Sequence, residues 1–104
     1  MDKIRLGSDN DLNFKNFTNK RTGAILTAAT VTAELFDNAV AAGPRLGALI
    51  TLAEDGATGD YYGKVANDHV GLVDGMEVRV EITGNGGSGL LQKEPFLAHV
   101  ESVK

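Results

Sequence analysis

The residues in this chain whose types and spacing could do chemistry are few, and the densest group lies in EITGNGGSGLLQKE, residues 81 to 94. There Gly84, Gly86 and Gly89 stand at the spacing Gly-x-Gly-x-x-Gly, directly after a strand-like pattern. In a dinucleotide fold the third glycine opens a helix whose N-terminal N–H groups hold a pyrophosphate within a βαβ unit. Here only fifteen residues follow Gly89, and LLQKE is barely one helical turn before Pro95. No acidic residue stands about 20 positions on to reach a ribose hydroxyl. A phosphate loop is excluded as well, because no Gly-Lys-Ser/Thr follows. Glycines crowded with an asparagine and a serine lose much entropy on ordering. The expectation over residues 84 to 94 is therefore a mobile strand connection, with Gly86 and Gly87 in it, and no cofactor.

Carboxylates and imidazoles supply the other candidates. Asp9, Asp11 and Asn13 alternate as the start of a calcium loop does. Phe14, however, stands where that loop needs its glycine, and no glutamate occupies the twelfth position. Glu54, Asp55 and Asp60 share one loop and could gather oxygens around a cation, but turns use the same residue types for backbone hydrogen bonds. His69 and His99 are the only imidazoles and cysteine is absent, so a zinc site would need both histidines plus a carboxylate such as Asp68. Ser8, Ser88 and Ser102 all lie outside a Gly-x-Ser-x-Gly elbow. Tyr61-Tyr62 is the only tyrosine pair and tryptophan is absent, which weakens a carbohydrate- or base-stacking platform. The residues predict no catalytic or metal site, and the chain is read as a non-enzyme.

The elements that must carry these residues follow from length and alternation. A chain of 104 residues has room for one domain, 1–104. Its 42% hydrophobic content can fill a core without cysteine staples. Met76, Val78, Val80 and Ile82 alternate with Glu77, Arg79 and Glu81, the pattern of a half-buried strand. Weaker alternation marks DLNFKNF, DYYGKVA and PFLAHVESV, and GALITL, residues 47 to 52, is a short apolar strand candidate. Residues 24 to 42 admit a helix stopped by Gly43-Pro44, but Thr30, Val31 and Thr32 are β-branched and favour a strand with Val31, Ala33 and Leu35 on one face. Turn signals NKRTG, AAGPRLG, EDGATGD and VDG punctuate the strands. The fold expected is all-β, an antiparallel sandwich of about seven strands.

Charge bounds the partners. The net charge is −4; residues 1 to 30 hold five basic and three acidic side chains, and residues 31 to 104 hold five and eleven. A nucleic-acid binder would concentrate basic groups on one face, and none is evident. The N-terminus MDKIRLGSDND lacks a signal-peptide core and no apolar run suits a membrane span, so synthesis in the cytoplasm is expected.

The succession DLNFKNFTNKRTG, ATVTAELFD, GDYYGKV, DGMEVRVEI and PFLAHVESV resembles the small immunoglobulin-like β-sandwich domains of tailed-bacteriophage structural proteins, over roughly residues 9 to 103. Met76 and Val78 replace an aromatic that the pattern often carries after Asp-Gly. The resemblance implies a virion component, made in the host cytoplasm, that decorates the capsid or joins head to tail and binds capsid, portal or tail subunits in many copies. It transfers no catalytic residue. Candidate contacts are Lys3, Arg5, Lys15, Lys20 and Arg21, which suit an acidic partner, and the glycine loop at Gly86 and Gly87. The alternative is a ligand- or carbohydrate-binding sandwich module.

Overall fold

The computed structural model describes residues 3–19, 21–87 and 91–102 of the chain. They form seven strands and no helix: β1 (Lys3–Leu6), β2 (Asn10–Phe14), β3 (Thr30–Asp37), β4 (Ile50–Glu54), β5 (Tyr61–Val65), β6 (Glu77–Asn85) and β7 (Leu91–Ser102). All seven belong to one mixed sheet in the order β1-β7-β6-β3-β4-β5-β2.

Alternation decides which face of each strand turns inward. Val78, Val80 and Ile82 of β6 are buried, as are Val31, Ala33 and Leu35 of β3, Tyr61 and Val65 of β5, and Ala98 and Val100 of β7. Ile4, Leu12, Phe14 and Leu52 add the other strands, and Phe17 follows β2, so one continuous core draws on every strand. The sheet can bury a single face this way only by curling. Its two edge strands, adjacent in sequence, come together: the Asn10 side-chain oxygen accepts from the Arg5 N–H (3.0 Å) and its amide donates to the Arg5 carbonyl (3.1 Å). The arrangement is nearly a barrel, latched at one seam by a side chain instead of a backbone ladder.

The residues at Thr30–Asp37 settle as a strand, paired with β6 along their whole length. Their β-branched side chains suit the pleat, and the helical spacing across 24 to 42 finds no expression. Two expectations need correction. The sheet is not purely antiparallel, because β1 runs parallel to β7, with Lys3 opposite His99 and Leu6 opposite Ser102. Residues 84 to 94 are not one mobile loop either. β6 continues through Gly84 to Asn85, and β7 begins at Leu91, opposite Asn85, so Leu91, Gln92, Lys93 and Glu94 supply ladder pairs and not a connection. Gly84 is buried, and a Cβ there would lie 2.6 Å from Phe14 Cε2. Its lack of a side chain makes room for a ring. Ser88, Gly89 and Leu90, which complete the glycine stretch, lie outside the described residues.

Val80 is fully buried whereas Gly86 is exposed beyond the end of β6. Val80→Ala should therefore lower unfolding stability by about 1–3 kcal/mol through lost methyl burial and cavity. Gly86→Ala should cost far less. Urea titrations of the two variants check this, and equal losses would contradict the placement.

Among the described residues, the long strand β7 also leaves an open edge. Val100 donates its N–H to the Met76 carbonyl (2.9 Å) and accepts from the Gly75 N–H (2.8 Å), so both its backbone groups face the β6 side. Backbone direction alternates along an antiparallel strand, which turns the N–H groups of Leu91, Lys93 and Leu97 the other way. β1 covers only His99–Ser102 on that side. Pro95 falls at the same parity and has no N–H to offer. Proline and lysine at such positions are common protections against edge-to-edge pairing.

Candidate functional site

The densest gathering of polar side chains lies where the β4–β5 loop meets the irregular segment between β2 and β3. Glu54, at the end of β4, accepts the Ala28 N–H on Oε1 (2.8 Å) and the Gly59 N–H on Oε2 (3.1 Å). Asp60 Oδ1 accepts the Asn16 N–H (3.0 Å), and the Gly59 carbonyl accepts from Phe17 (3.0 Å). The Tyr61 hydroxyl donates to the Leu26 carbonyl (2.8 Å) and accepts the Ala29 N–H (3.0 Å). Asn16 and Ala28 both hold positive φ, 55° and 54°, a conformation that costs a non-glycine residue energy and persists where neighbours impose it. Glu54 and Asp60 thus each give one oxygen to a backbone donor of a strained segment. Among the described residues no group of three or more His, Asp or Glu is disposed to hold a metal ion.

Asp9 does similar work at the other end of the β2–β5 pair. Its carboxylate accepts from Lys64 Nζ (3.0 Å) and from the Asn67 N–H (2.8 Å). The Lys64 hydrogen bond first, then the Asn67 N–H, holds the Asp9 carboxyl below its ordinary value. A carboxyl whose folded-state pKa is depressed contributes stability above its unfolded pKa and loses it as pH falls through the folded one. Stability should accordingly fall on acidification below the ordinary aspartate range. In Asp9→Asn this part of the acid-side decline should disappear, as measured by urea midpoints across that window.

The two histidines stand on separate elements. One ring nitrogen of His69, Nε2, lies 2.8 Å from the Leu46 carbonyl, and a Cβ on Gly47 would come within 2.7 Å of that nitrogen. His69 thereby clamps the loop after β5 onto the chain entering β4. Beside it is a shallow recess of about 280 Å³, walled mainly by Ala48, Leu49, Ile50, Ala66 and Val70 with Lys64 and Asp68 at its rim. Val70 is 71% exposed. His99 is on the exposed face of β7, in register with Lys3 of β1 and Glu77 of β6.

Of the described basic residues expected to meet a partner, only Lys3 and Arg5 come together, both beside Glu101 at 3.8 and 3.9 Å. These are exposed pairs of the kind that contribute little. Lys15 lies over the Tyr62 ring, 5.9 Å from its centroid. The backbone N–H of Arg21 donates to Asn19 Oδ1 (2.9 Å) in a turn, and Lys20 lies outside the described residues. Gly86 and Gly87 follow β6, exposed. Sequence reasoning missed the open β7 edge, although Pro95 inside an alternating pattern is an edge-strand signal. It also missed the role of Tyr61, which no local pattern announces.

No family model, curated protein or solved structure matches this chain. No helix among the described residues is long and apolar enough to cross a membrane.

Proposed function

We propose that the chain is a non-enzymatic structural domain of the immunoglobulin-like class, acting in many copies as a phage virion component that binds capsid, portal or tail subunits. Support for the immunoglobulin-like reading comes from pairing order. In that fold strands C, F and G share a sheet, B pairs with E, and a C′ strand extends the first sheet. Taking β2 to β7 as B, C, C′, E, F and G reproduces those neighbours: β7-β6-β3-β4 on one side and β5-β2 on the other. The strand β4 changes partner midway, pairing with β3 through Ile50–Leu52 and with β5 through Ala53–Glu54. Such a change of partner is what a strand at the corner between two packed sheets makes, and it supports the sandwich reading.

The observation that carries the binding role is the open edge of β7, flanked by Leu91 and Leu97 on its exposed face. An edge strand recognises another extended segment through backbone hydrogen bonds. Pro95 interrupts the row of donors and so blocks indiscriminate self-pairing while leaving Leu91, Lys93 and Leu97 to a fitting partner. Many weak contacts repeated on a symmetric assembly then add by avidity. Glu54, Asp60 and Asp9 give carboxylate oxygens to backbone donors of the fold, which favours this reading over chemistry.

Mass spectrometry of purified virions tests the role: the chain should be present at a copy number matching a shell or ring. Absence from particles, with turnover of a substrate that depends on His69 or His99, would replace it by an enzyme. The edge itself is checked by Pro95→Thr, which restores a donor. This variant should self-associate at concentrations where the parent sediments as a single species, and identical sedimentation would mean that the edge is covered.

A further inference from the structure

We propose that Asn85 is a site of spontaneous covalent modification, at which the side-chain amide is lost through a cyclic imide formed with the backbone nitrogen of Gly86. The chain has seven asparagines, and Asn85 alone is followed by glycine; the others precede Asp11, Phe14, Phe17, Lys20, Ala39 and Asp68. The reaction requires the next residue's amide nitrogen to approach the side-chain carbonyl carbon, and a following side chain obstructs that approach. Gly86 offers none, and its backbone is free to turn.

The local geometry favours the same step. Asn85 is the last residue of β6 and is exposed, as are Gly86 and Gly87. Its Oδ1 accepts the Gly87 N–H at 2.9 Å, a turn in which the side chain folds back over the peptide that it precedes. The hydrogen bond polarises the side-chain carbonyl and places a donor where negative charge develops on that oxygen during attack, as an oxyanion hole does. Asn19 makes the same turn, its Oδ1 accepting the Arg21 N–H at 2.9 Å, but the residue that follows it is Lys20 and not glycine. Two other asparagine side chains are engaged differently. The amide of Asn10 donates to two carbonyls, Arg5 and Ser8 (3.1 and 2.9 Å), and that of Asn38 to Glu77 Oε1 (2.7 Å), so their leaving nitrogens are held in place.

The steps balance without an oxidant or an enzyme. The Gly86 nitrogen forms a bond to Asn85 Cγ and gives up its proton, and the Cγ–Nδ2 bond breaks with release of ammonia. Water then opens the five-membered imide at either carbonyl, leaving an aspartyl or an isoaspartyl linkage at position 85. Both products add one negative charge beside Thr30 and Leu91, its register partners on β3 and β7. The isoaspartyl form also inserts a methylene into the backbone where the β6 ladder ends.

The test incubates the folded, full-length chain at mildly alkaline pH in water enriched in oxygen-18, followed by peptide mapping with fragmentation that separates the two linkages. Label should enter at Asn85 ahead of every other asparagine, with ammonia released in step. Gly86→Ala should slow it several-fold while circular dichroism stays unchanged. A parallel incubation in denaturant should bring Asn10 and Asn38 closer to the rate of Asn85. Two results would overturn the proposal: labelling at Asn85 in denaturant but not in the folded chain, meaning that the strand end protects the site, or a Gly86→Ala rate equal to the parent's.

Discussion

Gly84→Ala is expected to destabilise the fold by about 1–3 kcal/mol, the usual cost of forcing a group into a packed core. The added methyl would lie 2.6 Å and 2.9 Å from Phe14 Cε2 and Cζ, and 3.0 Å from Phe17 Cζ. Both rings are buried, they meet edge to face at 5.1 Å between centroids, and Phe17 meets Tyr61 in the same way at 6.2 Å. The positions lie on opposite sides of the core, β2 with its following loop against the end of β6, so the strain would push apart strands that do not pair. The cause is separable from a loss of strand propensity by adding Phe14→Leu, which shortens the obstructing ring. If the clash is responsible, the double variant recovers part of the loss, with a coupling of at least about 0.5 kcal/mol. Chemical unfolding of the four proteins of that cycle gives the answer. Strict additivity would mean that the rings yield freely and that Gly84 serves only backbone geometry.

Gly84 also shows where sequence reasoning reached its limit. Composition marks the run from Gly84 to Gly89 as entropically costly to order, but it cannot tell a glycine needed for freedom from one needed for smallness. That distinction depends on Phe14, seventy positions earlier. What was legible was local alternation: Val78, Val80 and Ile82, Val31, Ala33 and Leu35, and Tyr61 with Val65 all face inward as their parity requires. The first strand was not legible, since KIRL is four residues long and buries only Ile4 fully, and its partner on β7 is almost a chain length away. Parallel pairing at that distance leaves no trace in either segment. The acidic loop was half legible. Glu54 and Asp60 bond backbone groups as turn chemistry suggests, Gly59 within the loop, but also Ala28 and Asn16, which lie outside it.

Tyr61→Phe is the second substitution expected to have a large effect, because it keeps the ring and removes only the hydroxyl. The ring is 1% exposed and stacks edge-on with Phe17, so packing should survive. Lost are the bond donated to the Leu26 carbonyl and the one accepted from the Ala29 N–H. Two half-buried backbone groups are then left unpaired, which costs about 1–3 kcal/mol. The loss should be local in origin. Leu26 and Ala29 flank the strained Ala28 just ahead of β3, and with the hydroxyl gone only Glu54 still holds Ala28 in its left-handed conformation. Amide exchange at Ala28 and Ala29 should accelerate and proteases should cut between Leu26 and Thr30, while the β3–β6 ladder keeps its protection. Unchanged exchange at Ala29 would show that the hydroxyl is dispensable and that Glu54, with the Leu26 N–H on the Phe17 carbonyl (2.8 Å), suffices to hold the segment. Removing that carboxylate as well, in a Tyr61→Phe, Glu54→Ala double variant, separates the two anchors. Because they grip the same four residues, their combined cost should differ from the sum of the single ones.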